Sequence, residues 1–217
     1  MNPSSLKVTG AWFQVGGNLT AAIGTTRGFI GEEKVESELV IVGSSLQALG
    51  YILQIIASNY DDGEEKRENQ SKLLDQIGIE LLALGNISNV IGIYFNINEQ
   101  LKENDYLIIT GNSLQSIGAF LGVEAALVDI NVLQKIIILG NSMQSLGAGL
   151  QAYQGVLNVL KDEKENKDSI FDKKDERIIA LIGIWIQAIG TLISAIGITA
   201  IEEENRLENN EKSEILI

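Results

Sequence analysis

Six long runs of the chain carry no charge at all, and short charged connectors separate them. The runs are Val8–Thr26, Leu39–Tyr60, Leu81–Asn98, Tyr106–Val123, Ile136–Leu160 and Ile178–Ile201. Each is mostly apolar, and each carries a glycine followed by a second glycine seven residues later, the first glycine of the third pair standing just ahead of its run. The pairs are Gly10 and Gly17, Gly43 and Gly50, Gly78 and Gly85, Gly111 and Gly118, Gly140 and Gly147, and Gly183 and Gly190. After seven more residues comes a further small residue, as Gly24, Ala57, Gly92, Ala125 or Gly197, with Gln154 the exception. Four residues after the first glycine stands Gln14, Gln47, Gln115, Gln144 or Gln187, and only the third copy departs, with Leu82. The copies recur roughly every 30 to 43 residues, the spacing at which internal repeats signal stacked supersecondary units.

A period of seven is two turns of an α-helix, so the glycines form one stripe drifting only about 20° per heptad. The glutamines fall beside that stripe. The large apolar residues three, six and ten positions on, such as Leu114, Ile117 and Leu121, fall on an arc to the other side. The pattern predicts helices with an apolar flank, a bare groove and an amide edge. Glycine costs a helix about 0.8–1 kcal/mol relative to alanine. Fifteen lie on this stripe, so something must offset their sum, and close approach of helix backbones is the physical candidate. The twelve paired glycines and the five glutamines are therefore the expected helix-packing residues. A methyl group at Gly118 should just be accommodated, and a leucine should not.

The expected elements are six antiparallel helices in one all-α array or bundle spanning residues 1–217. They run over about 5–27, 32–60, 64–99, 106–128, 132–161 and 175–206. Pro3 is expected ahead of the first helix, Gly28 to Gly31 as a turn, Asp61 to Gly63 and Asn104-Asp105 as breaks, residues 161–177 as a solvated connector, and a polar tail at the end.

Composition removes most chemistry. The chain has no histidine and no cysteine, so the commonest general base, the thiol nucleophile and the main transition-metal ligands are missing. No dinucleotide-binding or phosphate-loop glycine motif is present. The formal charge of -13 argues against nucleic acid. Carboxylate runs such as Glu202 to Glu204 read as solvated helix ends. Glu80 and Glu124, nearer the helix middles, project roughly 200–220° from the glycine stripe at about 100° per residue and read as marking a wetter back. A proton-linked pair is the functional alternative. Trp12 and Trp185 hold the same repeat position in the first and last copies, as capping repeats would, or as membrane-interface anchors.

The phrases Gly111-Asn112-Ser113-Leu114-Gln115-Ser116-Ile117-Gly118 and Gly140-Asn141-Ser142-Met143-Gln144-Ser145-Leu146-Gly147 resemble a family of uncharacterised repetitive helical proteins from spore-forming bacteria. The resemblance covers most of the chain and implies no catalytic residue, cofactor or metal. The third copy departs from it at Glu80 and Leu82.

Charges confined to helix ends have two explanations. Either other protein hides the helix middles, or they cross a bilayer core of about 30 Å, which needs roughly 20 apolar residues. The sequence favours a cytoplasmic, non-enzymatic structural or self-assembling protein that associates with its own copies, with no cofactor and no small-molecule substrate identified. The alternative is a membrane-embedded or membrane-permeabilising helical protein with lipid as its partner.

Overall fold

A computed structural model describes residues 2–61, 70–98, 101–128, 130–163 and 173–215. Six helices account for nearly all of them: α1 (Pro3–Phe29), α2 (Glu33–Asp61), α3 (Gln70–Asn98), α4 (Lys102–Val128), α5 (Val132–Glu163) and α6 (Lys173–Ile215). Among the described residues there is no strand. The protein is all-α.

Each helix packs on its two chain neighbours, and α6 returns to α1, so the six close into a ring. The tightest contacts lie within the hairpins α1/α2, α3/α4 and α5/α6. In each hairpin the paired glycines face one another in antiparallel register. Gly10 meets Gly50 and Gly17 meets Gly43; Gly78 meets Gly118 and Gly85 meets Gly111; Gly140 meets Gly190 and Gly147 meets Gly183. A Cβ added at Gly17, Gly85 or Gly147 would stand 2.5 Å from the facing glycine's carbonyl oxygen. These backbones touch, and a methyl group at Gly118 would lie 2.6 Å from the Gly78 carbonyl. That is too close for the accommodation expected of alanine, because the neighbour is rigid backbone rather than a flexible side chain.

Local chemistry sets the helix ends. Pro3 opens α1 rather than preceding it: its missing N–H is one the first turn would leave unpaired, and the Asn2 side chain accepts from Ser4 N at 3.0 Å. Gly31 turns the chain into α2 at φ 99°, a left-handed conformation that glycine adopts without strain. Asn104-Asp105 is not a break. It lies in the first turn of α4, where a carboxylate complements the helix dipole, and Asn96 donates to Asp105 at 2.9 Å. Asn131 caps α5 by accepting from Gln134 N at 2.7 Å. α6 runs on to Ile215 through the expected polar tail, on good helix formers and the Glu203–Arg206 pair at 3.9 Å. Residues 62–69 and 164–172, which include Asp62, Gly63 and most of the expected solvated connector, lie outside the described residues.

Ring closure is fastened at both ends. Lys7 and Glu202 pair at 3.6 Å where the chain starts and α6 nears its end. At the opposite end Arg177 donates to the Gly28 carbonyl at 2.9 Å and to Glu33 at 3.0 Å, holding α6 on the α1/α2 turn. The starts of α1, α3 and α5 therefore share one end with the finish of α6, called here the terminal end.

Candidate functional site

The inside of this ring holds many buried amides and hydroxyls among small apolar residues, and large apolar side chains are exposed on its outside. The largest fully buried side chains are Asn18, Asn86 and Thr191. What apolar core exists is mostly alanine, as in the clusters of Ala21, Ala22, Ile184 and Ala188, and of Ala11, Val15 and Ala195. The large apolar side chains point outward on every helix: Ile23 on α1, Leu49 and Ile56 on α2, Leu84 and Ile91 on α3, Ile117 and Phe120 on α4, Leu146 on α5, and Ile189 and Ile196 on α6.

All five repeat glutamines are buried. Gln14 Nε2 donates to Gln54 Oε1 across the α1/α2 hairpin at 2.9 Å. Gln187 Nε2 donates to Gln115 Oε1 at 2.7 Å, and Gln187 Oε1 accepts from Gln151 Nε2 at 2.6 Å, which ties α4, α5 and α6 together. Gln144 Nε2 donates to Ser194 Oγ at 3.1 Å and to Asn141 Oδ1 at 3.3 Å. Gln47 is 3% exposed and its Oε1 has no partner among the described residues. Two of these bonds cross the middle of the ring. Tyr51 of α2 donates to Gln144 Oε1 of α5 at 3.3 Å, and Gln187 of α6 reaches Gln115 of α4, although neither helix pair is in backbone contact.

Further polar side chains that the repeat did not single out line the same axis. Asn18 donates to Thr191 Oγ1 at 3.0 Å, and Asn89 donates to Asn112 Oδ1 at 2.7 Å. The signal for them lay in the helical period. At about 100° per residue, positions four, eight and eleven after the first glycine fall within about 60° of one another, beside the glycine stripe. Asn18, Tyr51, Asn86 and Thr191 stand at position eight.

At the terminal end the axis widens into a cavity of about 320 Å³ lined by all six helices. Lys7, Lys72, Asp75 and Glu202 stand at its mouth, and its deepest lining residues are Gln14, Tyr51, Leu82, Gly118, Gln144 and Ser194. One wall, made by Gly118, Ala119, Gly122, Ala125 and Ala126 of α4, presents only small residues.

Glu80 and Glu124 are both exposed, and nothing in the described residues joins them. The exposed face around them carries apolar side chains, Ile77 and Leu84 near Glu80 and Phe120 and Leu127 near Glu124. Glu80 accepts from Gln76 at 3.2 Å, one turn nearer the terminal end. Trp12 and Trp185 are partly exposed on the outer wall, and each indole N–H is satisfied, by Thr199 at 3.2 Å and Thr26 at 3.1 Å. No group of metal-ligating side chains occurs among the described residues.

A family model described as a family of unknown function, DUF6944, matches residues 5–195. The chain belongs to this family. No curated protein and no solved structure matches it. Membership in DUF6944 establishes an uncharacterised family, and neither the family nor the all-helical fold gives a sign of catalytic activity. It does not extend to the repeat phrase or the spore-forming source that the resemblance suggested.

Four of the helices are long and apolar enough to cross a membrane: Glu33–Tyr60, Gln70–Ile97, Lys102–Val128 and Arg177–Glu211. Between 33 and 44% of the most apolar window of each is buried in the protein, and the rest is half-buried or exposed.

Proposed function

We propose that this member of DUF6944 is a membrane-embedded, non-enzymatic helical bundle whose outer wall lies in lipid. One observation carries the reading: amides and hydroxyls are the largest fully buried side chains of the bundle, while many Leu, Ile, Phe and Trp side chains are exposed on its outside. In water such exposure opposes the main driving force of folding, worth about 1.5–3 kcal/mol for each large apolar side chain. In hydrocarbon it costs nothing, and the polar groups are sheltered inside. Small residues at helix contacts and side-chain hydrogen bonds between helices are how bundles hold together where lipid supplies no hydrophobic force.

Helix length agrees. The shortest charge-free runs, Leu81–Asn98 and Tyr106–Val123, are about 27 Å long at 1.5 Å per residue. The reading extends to α1 and α5, which are less apolar overall because they carry inward amides, yet show Trp12, Ile23, Leu139 and Leu146 outward. Tyr60, Tyr94 and Tyr106 are exposed near helix ends, where an interfacial belt would have them. Glu80 turns toward the terminal end beside Gln76, as a carboxylate reaching for the interface would.

Self-association in the cytoplasm competes with this reading. A standard interface covers about 800 Å² on each partner, one side of a bundle, whereas the apolar residues here surround all six helices. Lipid covers every side at once. Expression without detergent tests the proposal. The chain should sediment with membranes, resist an alkaline carbonate wash and be released by detergent. A monodisperse species in the supernatant would refute it.

A further inference from the structure

We propose that the axial cavity is a water-entered binding site for a small uncharged, hydrogen-bonding solute of the polyol class, reached from the terminal end. The argument starts at the floor. Tyr51 OH, Gln144, Asn141, Ser194, Gln14 and Gln54 bring neutral donors and acceptors together there, and no charged side chain is among the deepest lining residues. These groups are already oriented by one another: Tyr51 donates to Gln144, Gln144 to Ser194, Ser194 to Asn141 at 2.8 Å, and Gln14 to Gln54. A hydroxyl-rich guest can both donate to and accept from such a floor. The α4 wall of glycine and alanine is flat enough for the C–H face of a sugar alcohol.

Charge at the mouth points the same way. Two cations, Lys7 and Lys72, stand with two carboxylates, Asp75 and Glu202, so the entrance has no net charge, and Lys7 is paired with Glu202. An ion passing inward would leave its partners behind and meet only dipoles. At about 320 Å³ the cavity lies at the small end of ligand pockets, which run about 300–1,000 Å³, room for a hexitol rather than a lipid.

A second observation calls for water on this axis. One turn deeper than the floor lie Asn18 on α1, Gln47 on α2 and Asn86 on α3, each at least nine-tenths buried. Asn18 Oδ1, Gln47 Oε1 and Asn86 Oδ1 have no protein partner among the described residues. All three are acceptors that call for a donor, and a buried polar site with several such groups is where ordered water is held. Below them Ala21, Ala22, Ile184 and Ala188 pack together.

The natural chain has no cysteine, which makes the test direct. Ile79→Cys and Ile137→Cys place single thiols on two walls, α3 and α5 on either side of α4, and Ile117→Cys places one on the outer wall of α4. The full chain, purified in detergent so that the result does not depend on the bilayer reading, is treated with a charged methanethiosulfonate. Sorbitol is the probe, with glycine betaine and inorganic phosphate as charged comparisons. Both cavity thiols should react, and sorbitol should slow them several-fold while leaving Ile117→Cys unchanged and while the charged solutes protect neither. Adding Gln144→Leu should remove the protection and leave the reaction. Cavity thiols that stay unreactive, rates that sorbitol leaves unchanged, equal protection by the charged solutes, or protection that survives Gln144→Leu would each overturn the proposal.

Discussion

At the residue scale the glycines divide into two kinds, and the division is testable. Gly118 lies against the Gly78 carbonyl, whereas a Cβ at Gly16 would meet nothing within 4 Å. Overpacking a tight contact costs about 1–3 kcal/mol, and replacing helical glycine with alanine returns up to about 1 kcal/mol. Gly118→Ala should therefore lower stability by roughly 1–2 kcal/mol, Gly118→Leu by more, and Gly16→Ala should raise it. Circular dichroism melts in detergent check this, and a Gly118→Leu variant as stable as the parent would mean that these backbones are not in contact. The amides follow the same logic. Sequence spacing singled out the glutamines at position four, and four of the five are hydrogen-bonded between helices. It passed over Asn18, Asn86 and Thr191, because side chains that differ from copy to copy do not stand out as a repeat even when they share a face.

At the element scale the helices were readable because long charge-free runs with one glycine face have few other ways to fold. Their ends were less so. Asn104-Asp105 and the stretch beyond Arg206 look like breakers by composition, yet the first supplies the opening turn of α4 and the second extends α6. Polar residues favour a helix end only where no neighbouring turn or charge pair uses them. What no single helix could reveal was closure into a ring, since it depends on α6 returning to α1 through Asn18–Thr191, Lys7–Glu202 and Arg177–Gly28. The exposed apolar flank follows from that closure, because the amide-bearing edges turn inward together. Ile189, exposed near the middle of the α6 run, probes this. In lipid, Ile189→Lys should cost insertion about 2.5–3.5 kcal/mol and leave a large fraction of the chain extractable by alkaline wash. On a water-facing wall the same change would be worth about ±0.5 kcal/mol and extraction would not move.

For the whole molecule we propose one thing: that the outer wall is in contact with lipid. Charge segregation, the alanine and glycine interior and the polar axis all acquire a cause from it, and the cavity becomes a recess reached from one side of a membrane. The chain carries its own reporters, since both of its tryptophans, Trp12 and Trp185, lie on the outer wall. Trp12 meets Thr199 toward the terminal end and Trp185 meets Thr26 toward the other. The most direct measurement is tryptophan fluorescence of the reconstituted protein in vesicles whose acyl chains carry bromine, a quencher that acts on contact. The account predicts strong quenching in brominated vesicles relative to unbrominated ones, retained when Trp12→Phe or Trp185→Phe leaves either indole alone. Emission unchanged by bromine in both single-tryptophan variants, from protein that floats with the vesicles, would contradict it.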